Sequence, residues 1–407
     1  MNTHILPRKR ILLTYGWVRS SYAALRSLSA QGLEVWVTDS NSVGMCQWSN
    51  RRAGFKKYVS PYVDETAFVD GIAAMCRELD IGLIFPSHNE TEILARHRHR
   101  LPAGVDALLP DAAICSLFND KSRAYSLAES VGVRVPRRIR CSSTAEVGQA
   151  FRELDRGKGI VLKLLTGNSS KGVFYPAGVD AAKATFERLV KEYSLEPDRY
   201  PQLEERVDGF GAGCSVAYWK GKGIASFCHR RLREKVATGG TSTWRESIEC
   251  PAIHDASKAI FDRIAWHGLA MAEFKVCPKT GQAWFIEVNP RMWGSIPMAI
   301  GAGVDFPYLL WLASEHGPER ARFEASRRPI RIGWRGRWLL GDMLIAYSEM
   351  VRLHPRAAAR AIFSGRSDGF DDLHLDDLGA FAGEVAHYVW RFLATRSMNP
   401  AEAGTVR

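Results

Sequence analysis

The sequence predicts an α/β protein: a small parallel-sheet domain, a larger α+β domain behind it, and a helical C-terminal extension. Three observations predict this. Residues 11–15, ILLTY, read as a buried strand; Ser20–Gln31 carries apolar residues at helical spacing; and LEVWVTD at 33–39 reads as a second strand. Such a βαβ opening implies a parallel sheet. A further amphipathic helix at 67–79 leads into another strand, IGLIFPS, at 81–87. Far downstream, the apolar runs Leu269–Val276 and Ala283–Val288 flank Cys277–Gln282, whose Pro278 and Gly281 are turn residues, so 269–291 reads as a β-hairpin.

The hairpin carries the chemistry. Glu287 and Asn289 are two apart and so share a strand face, and Glu273 on the other strand can sit beside Glu287. Carboxylates held that close repel unless a cation lies between them. Two carboxylates and an amide oxygen suit Mg²⁺, which keeps phosphate oxygens and waters in its shell. Pro290 stops the ladder, and Arg291 stands at the strand end, positioned to face an anion. The plain alternative is an edge hairpin with solvated acids.

Composition sets bounds. A chain of 407 residues suggests two or three domains, and 46% hydrophobic content is enough for a full core. The net charge of +11 fits nucleic acid, anionic lipid or acidic small molecules as partners. Eight cysteines without a C-x-x-C pair indicate neither zinc nor a disulfide framework. The start lacks a signal-peptide apolar run, and no stretch of ~18 apolar residues appears, so a cytoplasmic protein is expected.

Between these landmarks the chain reads as follows. Gly16 is not followed by a dinucleotide fingerprint. His88, Asn89 and Glu90 lie just past a strand's carboxyl end, where open sheets bind ligands, though they serve equally as helix caps. RHRHR at 96–100 reads as a solvated helix end. Asn119-Asp120 caps a helix over Lys121–Ser130, closed by Gly132 and Pro136. Strand 159–165, GIVLKLL, holds Lys163 in an apolar run, which demands an anion or an exposed edge. The loop 166–174, TGNSSKGVF, lets backbone N–H groups approach phosphate but is no Walker A loop. A helix follows at 180–193. QLEERVD (202–208) precedes GFGAG (209–213), and strands 214–219 and 223–228 form another hairpin. HRRLREK (229–235) concentrates arginines suited to phosphate or carboxylate, with glycines behind and Arg245 beside them. Residues 255–267 form the helix before the metal hairpin. Past Arg328, residues 330–354 are aromatic, apolar and basic. They fit a membrane surface, a partner, or a helix packed on the main domain. Residues 368–377 are acid-rich, 379–394 is amphipathic, and the last ten or so read as disordered.

Taken together these segments resemble the ATP-grasp superfamily. Glu273 with FIEVNPR is similar to the metal-binding end of biotin carboxylase and of the carbamoyl phosphate synthetase large chain. His229–Ser247 and GSIPMAIGAGVDFP (294–307) resemble the carboxylate–amine ligase branch that includes D-aspartate ligase. The resemblance covers about residues 10–325. It implies a Rossmann-like pre-ATP-grasp domain over 1–112, an ATP-grasp domain over 113–328 with a lid at about 138–200, and an extension over 329–407. It also implies ATP and Mg²⁺, or Mn²⁺ in its place, with Glu273, Glu287 and Asn289 as metal ligands. Lys121 and Lys163 would touch the nucleotide. Ser169, Ser170, Lys171 and Gly172 would form a lid over the phosphates. Glu204, Glu205 and Val207 would hold adenine. Asp208 would replace the ribose-binding acid that the family places where this chain has glycine. Arg291, with Arg231 or Arg245, would neutralise an acylphosphate. The implied reaction joins an activated carboxylate to an amine, in a homo-oligomer. A carboxylase or carbamoyl-transfer enzyme, a basic nucleic-acid-binding protein and an adaptor acting through 330–394 are the rival readings.

Overall fold

The computed structural model describes residues 10–166, 172–234 and 241–396. The first sheet is built from β1 (Arg10–Leu13), β2 (Val35–Asp39), β3 (Gly54–Lys57), β4 (Ile81–Phe85) and β5 (Asp106–Ala107), interleaved with α1 (Arg19–Ala30), α2 (Met45–Trp48), α3 (Glu65–Glu78) and α4 (Glu90–Arg96). All its pairings are parallel, in the order β3-β2-β1-β4-β5. The order reverses between β1 and β4, so the loops after these two strands part and leave a crevice. The basic run at 96–100 is the solvated helix end expected: Arg96 and Arg100 pair with Glu65 and Asp70 of α3, at 2.9 and 2.5 Å.

Next come α5 (Ala112–Asn119) and α6 (Lys121–Ser130). Asp120 starts α6 by accepting from the Ser122 and Arg123 N–H groups. A four-stranded sheet follows, with β6 (Arg138–Arg140), α7 (Thr144–Leu154), β7 (Ile160–Lys163), β8 (Val173–Phe174), α8 (Val179–Glu192) and β9 (Gln202–Glu205). Its order is β6-β9-β7-β8, and Val147, Phe151, Phe186 and Leu203 form its core.

The seven-stranded sheet contains β10 (Phe210–Trp219), β11 (Lys222–Glu234) and β12 (Ser242–Ser247). After α9 (Pro251–Arg263) it continues with β13 (Gly268–Val276) and β14 (Ala283–Asn289). Alternation divides its faces. Ala212, Cys214, Ala272, Phe274 and Phe285 pack with Phe118 of α5, Tyr125 of α6 and Phe261 of α9. The other face carries the polar groups of the site. Below it lie α10 (Ile296–Ala302), α11 (Phe306–His316) and α12 (Pro318–Ser326). Core residues from α1, α10 and α11 join Leu269 and Met271 there, fusing the first unit to the large sheet.

The C-terminal segment is helical as expected, with two short strands added: β15 (Arg335–Arg337) adds to β12, and after α13 (Leu339–Val351) and α14 (Pro355–Phe363) strand β16 (Gly369–Phe370) adds to β15, before α15 (Leu378–Thr395). In the acid-rich 368–377 stretch, Asp371, Asp372 and Asp377 are buried. Asp371 binds both Arg19 of α1, at 2.8 Å, and Arg245 of β12, at 2.5 Å. Asp377 accepts from Ser49 Oγ, the Asn50 N–H and Tyr22 OH. The Arg19 guanidinium also lies 3.8 Å from the centre of a Trp338 ring. Buried charges must be matched, so this segment pins the first unit against the large sheet. Asp371→Ala leaves Arg19 and Arg245 without their shared counter-charge and should cost roughly 3–5 kcal/mol. Urea unfolding checks this; a parental midpoint would refute the pin.

Candidate active site

The β13–β14 hairpin forms as its turn residues dictate: the Cys277 N–H donates to Gln282 O and the Gly281 N–H to Cys277 O. Its register sets Glu273 directly opposite Glu287 and Met271 opposite Asn289. The two carboxylates and the amide therefore meet on one face. Burial, and then Glu273, push the Glu287 carboxyl above its ordinary range. Asn289 Nδ2 donates to Glu273 Oε1 at 3.0 Å. Arg231, on β11, reaches across β10 to pair with Glu273 and also pairs, at 3.3 Å, with Glu234 on its own strand.

That reach depends on glycine. A Cβ at Gly213 would lie 2.6 Å from His229 Cε1, and one at Gly211 would lie 3.1 Å from Arg231 Cδ. The GFGAG stretch thus clears a path for the β11 side chains across β10, a role that sequence reasoning missed.

Cations approach from two other elements. Lys121, at the first turn of α6, is buried; burial weakens its hold on its proton, and Glu287 opposes that. Lys163, at the end of β7, is buried too. Its Nζ lies 2.7 Å from Glu204 Oε2 and donates to Tyr125 OH at 3.0 Å. Burial works against its charge, but Glu204 and Tyr125 outweigh it and hold the ammonium protonated. The anion that the strand lysine demanded is supplied by the chain itself. Gln202 Nε2 donates to the other Glu204 oxygen at 2.7 Å, so that carboxylate is fully engaged. Tyr125 and Gln202 were also missed. Tyr125 follows Lys121 by four residues and so shares its helix face, a signal that could have found it.

Arg291 lies between the hairpin and the crevice of the first sheet. It is half-buried and donates to Met292 O at 3.0 Å. Burial lowers its pKa, while Glu90 and Glu287 help to keep it charged. Glu90, the first residue of its helix, holds the loop before it, accepting from the Ser87 and His88 N–H groups at 2.9 Å and from Thr14 Oγ1 at 2.6 Å. The His88 ring stacks on Tyr15 with centroids 4.5 Å apart. Burial, and then Arg291, keep His88 neutral.

The structure therefore brings Glu273, Glu287, Asn289, Arg231, Arg291, Lys121 and the Lys163–Glu204 pair into one region. The remaining candidates are placed as follows. Arg245 is corrected: it stands opposite Arg231 in the β11–β12 register, but its guanidinium is closed off on Asp371. Asp208 is exposed and paired with Lys158 at 2.5 Å. Glu205 accepts from the Arg137 N–H at 2.9 Å, and Val207 is half-buried in the segment after β9. Gly172 packs beside Leu164 with φ +90. Ser169, Ser170 and Lys171, and with them most of the lid reading, lie outside the described residues, as do the glycines at 239–240.

No protein-family model matches the chain, and no curated protein matches it by sequence. Solved structures do. One is the biotin carboxylase domain of 2-oxoglutarate carboxylase from Hydrogenobacter thermophilus, a dimer in complex with MgADP, ADP and bicarbonate. Its TM-score is 0.61 at 17% identity over 80% of this chain and 73% of that one. The fold is the ATP-grasp fold. N5-carboxyaminoimidazole ribonucleotide synthetase, solved as an ADP complex, has a TM-score of 0.58 at 16% identity over 86% and 87% of the two chains. L-amino acid ligase from Bacillus licheniformis gives 0.58 at 14% identity over 80% and 78%.

The donor set fits a hard divalent cation. Among the described residues no group of three or more His, Cys, Asp or Glu side chains converges as a metal cage. Two carboxylates face each other instead, and a half-turn of the Asn289 amide would present its oxygen beside them. The Arg231 guanidinium brings positive charge to the same carboxylates.

His229 is buried and neutral, its pKa lowered by burial and then by Arg231 and Arg245 to about 3. An unfolded chain's histidine takes up a proton below pH 6.5, which the folded one refuses until about pH 3. Stability from this group is therefore fully present above that window and is lost as pH falls through it. His229→Gln should flatten the acid loss by up to roughly 1.4 kcal/mol per pH unit. Urea unfolding across the window measures this, and an unchanged slope would refute it.

Proposed function

We propose that this chain is an ATP-dependent carboxylate–amine ligase. One observation carries the reading: the face-to-face pair Glu273 and Glu287, flanked by Arg231, Lys121, Lys163 and Arg291. Such a ring of opposed charges suits phosphoryl transfer, where the protein mainly positions reactants and neutralises charge. Glu273, Glu287 and Asn289 would hold Mg²⁺, which would supply positive charge to neutralise phosphate oxygens. Lys121 and Lys163 orient the phosphates of ATP. Arg231 then exchanges its carboxylate partner for the developing acylphosphate, and Arg291 steadies the same oxygens from the crevice side. The substrate carboxylate oxygen bonds to the terminal phosphorus as ADP leaves. The amine nitrogen then bonds to the acyl carbon, inorganic phosphate departs and a proton is released. No covalent enzyme intermediate is required.

The comparisons supply support of two kinds. The L-amino acid ligase favours amide formation, and the biotin carboxylase domain favours carboxylation as the second reading. The proposal includes a cytoplasmic location, an oligomer of identical chains, and a peripheral contact within 330–394 on α13 and α14.

ADP release screened against amino acids and small acids, each with and without amines, tests the function; release driven by bicarbonate alone would favour carboxylation. Glu287→Gln should lower release at least ~100-fold with the circular dichroism spectrum unchanged. Near-parental turnover in that variant would overturn the metal assignment.

A further inference from the structure

The α13–α14 hairpin presents an apolar face that nothing within the described chain covers. On α13, Met343, Tyr347, Met350 and Val351 are exposed, and their spacing places them on one helical stripe. Leu353, in the turn between the helices, is 85% exposed, and Phe363, at the end of α14, is 84% exposed. Side chains as large as these rarely stand so open in a contiguous group. The charges beside them are mostly positive. From Met343 to Arg366 the chain holds four arginines, Arg352, Arg356, Arg360 and Arg366, against one acid, Glu349. Arg352 and Arg366 are largely exposed, and Arg356 and Arg360 share the exposed side of α14 with Phe363. Glu349 is covered by Arg352 and His354.

We infer that this hairpin lies on an anionic lipid surface. An apolar stripe with an arginine border is the pattern of a helix that beds in the headgroup layer, apolar side down and cations against lipid phosphates. A second copy of the chain is disfavoured, since it would bring four arginines against four. A lipid layer also yields to a convex stripe, whereas a protein partner would need a matching groove. The hairpin shares no residue with the candidate site, so this inference stands or falls apart from the ligase reading.

Co-sedimentation of the full chain with phosphatidylcholine vesicles, with and without phosphatidylglycerol, tests it. The chain should pellet with the anionic vesicles and stay in solution with the neutral ones, and salt should weaken the binding. Leu353→Glu with Phe363→Glu, and separately Arg356→Glu with Arg360→Glu, should each weaken binding by ~10-fold or more. These side chains are exposed, so the circular dichroism spectrum should not change. Four results would overturn the inference. The first is no pelleting with either vesicle. The second is binding that the Leu353/Phe363 pair leaves intact, which marks diffuse adsorption of a basic protein. The third is a dimer in sedimentation velocity that Leu353→Glu dissolves, with no vesicle binding. The fourth is hairpin-dependent capture by an acidic protein with no vesicle binding.

Discussion

Strand register holds Glu273 and Glu287 face to face, and the charges around them are arranged to make that tolerable. Like charges this close must be answered by a proton, by a cation, or by both. The chain uses each remedy: burial and Glu273 raise the Glu287 pKa, Arg231 reaches Glu273, and Lys121 lies within the influence of Glu287. Four separate elements had to be placed for this, namely β11, α6, β7 and the hairpin itself. The glycines at 211 and 213 are part of the same solution, because any side chain on that face of β10 would block the β11 groups. An apolar core alone gives no reason for two open positions in the middle of a sheet.

The region works only if the crevice of the first sheet stays registered against the hairpin, since Arg291 is influenced by Glu90 on one side and Glu287 on the other. Two kinds of contact fix that relation. One is apolar, through Leu269, Met271 and the buried residues of α1, α10 and α11. The other is ionic, with Asp371 shared by Arg19 and Arg245 and Asp377 taken up by Tyr22, Ser49 and Asn50. Hydrophobic contact is non-directional, whereas a buried ion pair tolerates only one geometry, so the second kind adds precision to what the first adds in cohesion.

Sequence reasoning reached what local pattern controls. The βαβ opening, the β13–β14 hairpin and the shared face of Glu287 and Asn289 follow from periodicity and turn chemistry, and the strand lysine announced its need for an anion. It misjudged what only tertiary pairing decides. Arg245 and Arg231 look alike in a basic run, and their fates separate because Asp371, more than a hundred residues away, claims one of them. The acid-rich composition of 368–377 likewise does not show that Asp371 and Asp377 are buried, because their partners come from α1, the loop after α2, and β12. The helical reading past Arg328 holds for α13, α14 and α15 but missed β15 and β16 for a related reason. Strands of three and two residues are too short to show alternation, and the edge of β12 pulls them into the sheet.

Two large parts of the positive charge are committed by their environment, and neither forms a nucleic-acid stripe. Arg19, Arg245, Arg233 and Arg337 are committed to Asp371 and Asp342 and hold the architecture together. Lys121, Lys163, Arg231 and Arg291 converge on the carboxylate region, where oxygen-rich, multiply charged reactants would meet them. A stripe that tracks a phosphate backbone needs its cations solvated and arrayed along one face. Here the first group is shut away from solvent phosphate, and the second is mixed with carboxylates that would repel a polyanion. A small anionic substrate can enter such a mixture and exchange partners with it one group at a time, which a long polyanion cannot do.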